Sequence, residues 1–120
     1  MAMAAAASEL KCTEVVVLDV RGLTAVCDWA IIASGTSDRQ MRAVAQHLED
    51  MGKERGMPPY RQSKDPRATW IVVDFVDTVV HIFEPQQRAF YDLEGLWSDA
   101  PRIRWRRTDT AREPSGDDAR

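Results

Sequence analysis

Thr69 to Pro85 reads TWIVVDFVDTVVHIFEP, which sets two aspartates, Asp74 and Asp77, and one histidine, His81, into an otherwise apolar run. Carboxylates and an imidazole can do general acid–base chemistry only where they reach a common substrate atom. The spacing argues against that. A two-residue loop at Val76-Asp77 pairs Phe75 with Thr78, Asp74 with Val79, Val73 with Val80, Val72 with His81, Ile71 with Ile82 and Trp70 with Phe83. Asp74 and His81 are then separated along the ladder, and Asp77 stands at the turn, where its carboxylate serves the backbone.

The remaining reactive side chains are sparse. His47 and His81 are the only histidines, and neither has a second ligand at metal-site spacing. His47 reads as a helix-surface or partly packed residue. Cys12 and Cys27 form no Cys-x-x-Cys and have no evident activating histidine, so both read as structural. The turn ASGTSDRQ (33–40) could present backbone amides to an anion at a helix N-terminus. It lacks the lysine of a phosphate loop and any G-x-G-x-x-G. It is similar to the Gly-Ser turn of nucleotidyltransferases, but no Asp-x-Asp or Glu-x-Glu follows to hold Mg²⁺. A capped helix after a tight turn is the simpler reading. No cofactor is implied.

Position in the fold comes from the surrounding periodicity. Residues 3–11 are alanine-rich and form a short helix that needs a tertiary partner. EVVVLDV (14–20) is a strand covered on both faces, and CDWAIIAS (27–34) is a second. Ser37 and Gln40 have capping-box spacing. Met41, Val44, Ala45, Leu48 and Met51 then share one helical face, with Gly52, Gly56 and Pro58-Pro59 ending the helix. A short edge strand fits YRQSKDP (60–66). After the hairpin, PQQRAFYDLEGLW (85–97) reads as one helix with Ala89, Phe90, Leu93, Leu96 and Trp97 in its buried stripe. The result is an α/β domain, a mixed β-sheet with packed helices.

The hairpin register separates two faces. Ile71, Val73, Phe75, Val80 and Ile82, with Thr78 at the tip, make a core face. Trp70, Val72, Asp74, Val79, His81 and Phe83 make a face that is part polar and part aromatic. One reading covers this second face with the N-terminal helix, Trp70 filling the gap. The other makes it a protein-docking face anchored by Trp70, the residue type most enriched at such anchors.

The 120 residues suit one domain, and net charge −3 with pI near 5.3 disfavours tight binding to bare nucleic acid. No apolar run approaches a bilayer span, and MAMAAAASELK carries neither signal-peptide nor transit-peptide features. A cytoplasmic protein with no membrane partner is expected. The domain is expected over 1–105, with its core at 14–101 and a disordered charged tail at 106–120.

Taken together, LDVRGLT (18–24), CDWAIIASGTSDRQ (27–40), TWIVVDFVDTVVHIF (69–83) and RAFYDLEGLW (88–97) resemble the ribosomal silencing factor family, RsfS, also called Iojap or YbeB. The likeness runs from Glu14 to Pro101. It implies a nucleotidyltransferase-like fold without the catalytic acids, and a binding protein rather than an enzyme. Such factors dock on large-subunit ribosomal protein uL-fourteen, block joining of the small subunit, and repress translation when nutrients run short, as in stationary phase. Partner-binding residues carried over by motif are Trp70 and Asp74 from the hairpin, and Tyr91 and Glu94 from the Y-x-L-E run. His81 shares the hairpin face, and Arg88 lies one turn before the Y-x-L-E run; two readings stand for it and Tyr91, a shared exposed patch, or edge-of-core packing with a surface ion pair. The arginines Arg102, Arg104, Arg106 and Arg107 offer a minor rRNA contact, against a solvated tail. Two departures stand out: Val76 replaces the usual turn glycine, so a different turn type or a bulge is expected, and KDPRATW (64–70) lacks a glycine and an acid common in relatives. The rival classes are a divergent Mg-dependent nucleotidyltransferase and a dimeric interaction module with a non-ribosomal partner. A homodimer of the free protein through the apolar sheet face is compatible with each of these.

Overall fold

The computed structural model describes residues 2–64 and 69–105. The tail at 106–120 and most of the KDPRA segment lie outside the described residues. Alanines, which lose no side-chain entropy in a helix, carry α1 (Ala2–Glu9). The β-branched runs give β1 (Thr13–Asp19) and β2 (Trp29–Ser34). The amphipathic stretch gives α2 (Asp38–Glu54). Then come β3 (Arg61–Lys64), β4 (Trp70–Asp74), β5 (Thr78–Phe83), α3 (Pro85–Tyr91) and the one-turn α4 (Leu93–Leu96).

The five strands form one sheet in the order β1-β2-β5-β4-β3. Only β2 and β5 run parallel; the other neighbours are antiparallel. The fold is therefore the mixed sheet that the sequence pattern implies. The hairpin register read from sequence holds throughout, from Trp70↔Phe83 to Asp74↔Val79. In β1 one extra residue is accommodated between Thr13 and Val16, where Glu14 adopts a positive φ of 48°. One residue too many on one strand is a β-bulge.

Two apolar layers sandwich the sheet. On one side α1 and α2 bury Met3, Ala4, Ala7, Met41, Val44 and Leu48 against Ile31, Ile71, Val73, Val80 and Ile82. On the other, Leu18, Ala30, Ile32, Val79 and Phe83 pack with Leu93, Trp97 and Ala100 from the C-terminal segment. The N-terminal helix thus lies on the Ile71 face, not on the Trp70–His81 face as one sequence reading had it. The reason is its partner: Gln40 Nε2 donates to the Leu10 carbonyl (2.8 Å), tying the end of α1 to the start of α2.

The caps are legible in detail. Ser37 Oγ accepts the Gln40 amide at 3.1 Å, and Gln40 Oε1 accepts the Thr36 amide at 2.9 Å, one residue earlier than the standard capping box. Gly56 (φ 76°) follows the last turn of α2. Gly52 has a different use from the stop role read in sequence. It is buried within α2, and a Cβ there would collide with the Met57 carbonyl and the Phe75 ring.

The 85–97 stretch is not one helix. Asp92 takes a left-handed conformation (φ 48°, ψ 54°), donates its amide to the Arg88 carbonyl, and accepts the Gly95 amide on its carboxylate. It closes α3 and opens α4. The expected stripe is broken accordingly: Phe90 and Leu96 are 77% and 70% exposed and Ala89 faces solvent, while Leu93 and Trp97 are half-buried. Beyond α4, residues 101–105 run along β1. Asp19 N donates to Pro101 O, Ile103 N donates to Val17 O, and Trp105 Nε1 donates to Val15 O.

Candidate protein-docking site

Trp70 opens β4, and Phe83 sits directly opposite on β5. Their rings stack with centroids 5.0 Å apart. His81, one diagonal step away, reaches Trp70 because aromatic side chains span such diagonals. Trp70 Nε1 donates to His81 Nδ1 at 3.2 Å. Tyr91, at the end of α3, closes the other flank of Trp70 at 4.5 Å. Phe90 then packs edge-on against Tyr91 at 5.2 Å. The outcome is a graded aromatic surface. Phe83 is fully buried, Trp70 is half-buried, Tyr91 is 46% exposed and Phe90 stands free.

His81 lies in the central strand, flanked by Ile32 on β2 and Val72 on β4. Burial lowers its pKa to about 4, so the ring is neutral at physiological pH. With Nδ1 accepting from Trp70, the ring proton is on Nε2.

Arg88 and Glu94 come together, but not on the surface. Arg88 is 7% exposed, which overturns the exposed-patch reading and favours the core-edge one, with its ion pair buried at the arginine end and not on the surface. Its guanidinium makes two bonds to the Glu94 carboxylate (2.9 and 3.1 Å) and a third to Ser34 Oγ at 2.9 Å. This fork clamps the α3–α4 junction onto the end of β2 and holds Tyr91 beside Trp70. The Arg88 guanidinium holds the Glu94 carboxyl below its usual range. Arg102 adds a longer contact to Glu94 at 3.7 Å.

Asp74 stands apart from the aromatic group. Its Oδ1 accepts the Val76 amide at 2.8 Å, so it serves the hairpin tip. Arg61 Nε lies 3.8 Å from its carboxylate. At that tip the Asp77 amide donates back to the Phe75 carbonyl and Val76 takes φ 77°. A three-residue bond of this kind is a γ-type turn, rare for a β-branched residue. The Asp77 carbonyl accepts the Asp28 and Trp29 amides, pinning the tip to the start of β2. Asp74, Asp77 and His81 thus do three separate jobs and do not converge.

The other candidates resolve similarly. Cys12 and Cys27 are buried, and burial pushes both thiols up. His47 is on the exposed side of α2. Among the described residues, no group of three or more His, Cys, Asp or Glu is placed to hold a metal ion, and no helix is long and apolar enough to cross a membrane. Sequence reasoning missed Phe90, which it assigned to the core; the signal was Asp92, a residue type that tolerates the left-handed region and whose carboxylate can accept the amide of Gly95 three residues on.

The family model described as "Ribosomal silencing factor during starvation" matches residues 1–120. The chain belongs to the ribosomal silencing factor family. A Bacillus subtilis protein named ribosomal silencing factor RsfS is 37% identical over 98 residues, covering 82% of this chain and 83% of that one. The Haemophilus influenzae protein of the same name is 40% identical over 89 residues, 74% of this chain and 87% of the other. The chloroplastic Iojap protein of Zea mays is 39% identical over 103 residues; these are 86% of this chain but 45% of that longer one. A crystal structure from Chromobacterium violaceum superposes with TM-score 0.76 at 32% identity, covering 80% of each chain. One from Bacillus halodurans gives TM-score 0.72 at 32% identity over 87% of this chain and 95% of that one. The Bacillus subtilis and Haemophilus influenzae relatives are named for silencing of the ribosome, not for an enzymatic activity.

Proposed function

We propose that the protein docks through its Trp70–Tyr91–Phe90 face on large-subunit ribosomal protein uL-fourteen and sterically prevents the small subunit from joining. The supporting observation is the aromatic surface itself. Exposed Tyr91 flanks a half-buried Trp70 that is braced from behind by Phe83, and exposed Phe90 packs on Tyr91. Anchors of this type, packed on one side and open on the other, carry most of the affinity in protein interfaces. Membership in the silencing-factor family supports a ribosomal partner. The acidic balance of the chain, net −3, suits a basic ribosomal protein better than rRNA.

The mechanism needs no bond making. A rigid body held over the joining surface excludes the other subunit because two sets of backbone atoms cannot share one volume. A typical interface buries ~1,600 Å² in total, within reach of one sheet face and a helix. In this reading Trp70 and Tyr91 touch the partner, as does Phe90. Arg88 and Glu94 hold α3 in place, and Asp74 shapes the hairpin tip. Translation falls when the factor accumulates under nutrient limitation.

Sedimentation with isolated large subunits, with and without small subunits, tests this. Co-migration with large subunits and loss of joined ribosomes are expected. Trp70→Ala is expected to weaken retention by ~2 kcal/mol or more. Full joining of subunits at saturating protein refutes the proposal. For the arginine-rich end, a salt titration should compare the full chain with one cut after Trp105, because residues 101–105 are part of the packed structure. An unchanged salt slope excludes a phosphate contact by the removed arginines.

A further inference from the structure

Ring stacking alone does not define how Trp70 meets a partner. The contacts with Phe83 at 5.0 Å and Tyr91 at 4.5 Å restrain the plane of the indole. They do little to decide which edge of that plane points inward, because dispersion between rings is weakly directional. A hydrogen bond is directional. The bond from Trp70 Nε1 to His81 Nδ1 at 3.2 Å sets the Nε1 edge inward. Its acceptor cannot drift. His81 is 9% exposed and sits in β5, hydrogen-bonded between β2 and β4 in the middle of the sheet. Its neighbours on those strands, Ile32 and Val72, and the rings of Phe83 and Trp97 are all apolar contacts.

We propose that His81 is a positioning residue for docking: it acts on the partner through Trp70, by accepting the indole N–H and fixing the edge that the docking face presents. This rests on the docking reading above and deepens it. The sequence pattern puts His81 on the docking face of the hairpin with Trp70; its burial assigns it to the layer beneath the contact residues. Stability alone does not ask for this arrangement, since an apolar side chain of similar size would fill the same space without needing a partner for its nitrogens.

Two readouts test the role. In the unmodified free protein, the Trp70 indole N–H signal in a ¹⁵N-correlated spectrum, assigned by its loss in Trp70→Phe, should exchange with water slowly. Exchange as fast as that of an open indole overturns the proposal with no further variant. His81→Phe keeps the ring but removes the acceptor; His81→Asn places an amide oxygen close to the position of Nδ1. His81→Phe should speed the indole exchange and weaken binding to isolated large subunits about tenfold, the worth of one neutral hydrogen bond. His81→Asn should restore most of both. Wild-type affinity in His81→Phe, or equal loss in the two variants, overturns the positioning role while leaving docking intact. Failure of the unmodified protein to bind large subunits sinks the docking reading, and the role of His81 with it.

Discussion

Neutral, buried His81 makes stability depend on pH. Folding lowers its pKa from the ordinary 6.5 to about 4. Between those values the unfolded chain holds a proton that the folded protein does not, so protons favour unfolding and stability rises with pH. The stabilisation is fully present above pH 6.5 and drains away as pH falls towards 4. The whole window corresponds to ~3 kcal/mol at 1.36 kcal/mol per unit. Between pH 7 and pH 5 the loss is roughly 2 kcal/mol. Arg88 holds the Glu94 carboxyl below its usual range, so its titration is moved away from this interval and not into it. Burial is the cause of the shift, with Trp70, Phe83 and Trp97 around the ring and Ile32 and Val72 beside it in the sheet. Urea unfolding followed by circular dichroism at pH 7 and pH 5 measures it. The midpoint should fall by about 1 M in the wild type, given typical urea slopes for domains of this size. In His81→Phe the part of that fall due to the imidazole should vanish. An identical pH profile in the two proteins would refute the reasoning, because His81 would then titrate alike in the folded and unfolded chains.

Three further perturbations test the framework around the docking face. Val76→Gly removes a β-branched residue from φ 77° and should raise stability by about 1 kcal/mol, seen as a higher urea midpoint at unchanged slope. Arg88→Lys keeps the charge but loses the fork to Glu94 and the bond to Ser34; about 2 kcal/mol of stability should go, and Tyr91 should become more mobile by NMR relaxation. Cutting the chain after Pro101 removes Ile103, Trp105 and their bonds to β1, and should cost about 3 kcal/mol more than cutting after Trp105, by thermal unfolding of both.

Much of this architecture was readable in one dimension because the deciding interactions are local. Alternation of two in β4 and β5 assigned each residue to a face, and a two-residue loop then fixed every pair from Trp70↔Phe83 to Asp74↔Val79. Ser37 and Gln40, three residues apart, announced where α2 begins. The motifs were enough to suggest the family, since their order and spacing reflect one fold.

Other features depended on residues far apart in the chain. Periodicity made 85–97 one helix because it counts apolar residues and is blind to a single left-handed Asp92. That break turned Phe90 outward, and what holds the break is Arg88 reaching Ser34, 54 positions away. The side of the sheet that α1 covers was likewise settled by a bond from Gln40 to Leu10, not by the alanines themselves. By type Arg88 allowed either a surface patch or a core-edge ion pair, since arginine is rarely buried unpaired; only the fold supplied its partners. Alternation and capping spacing, acting over a few residues, belong to the sequence. Which aromatic ends up open and which polar group ends up beneath it belong to the packed molecule, where chain segments distant in sequence satisfy one another's hydrogen bonds.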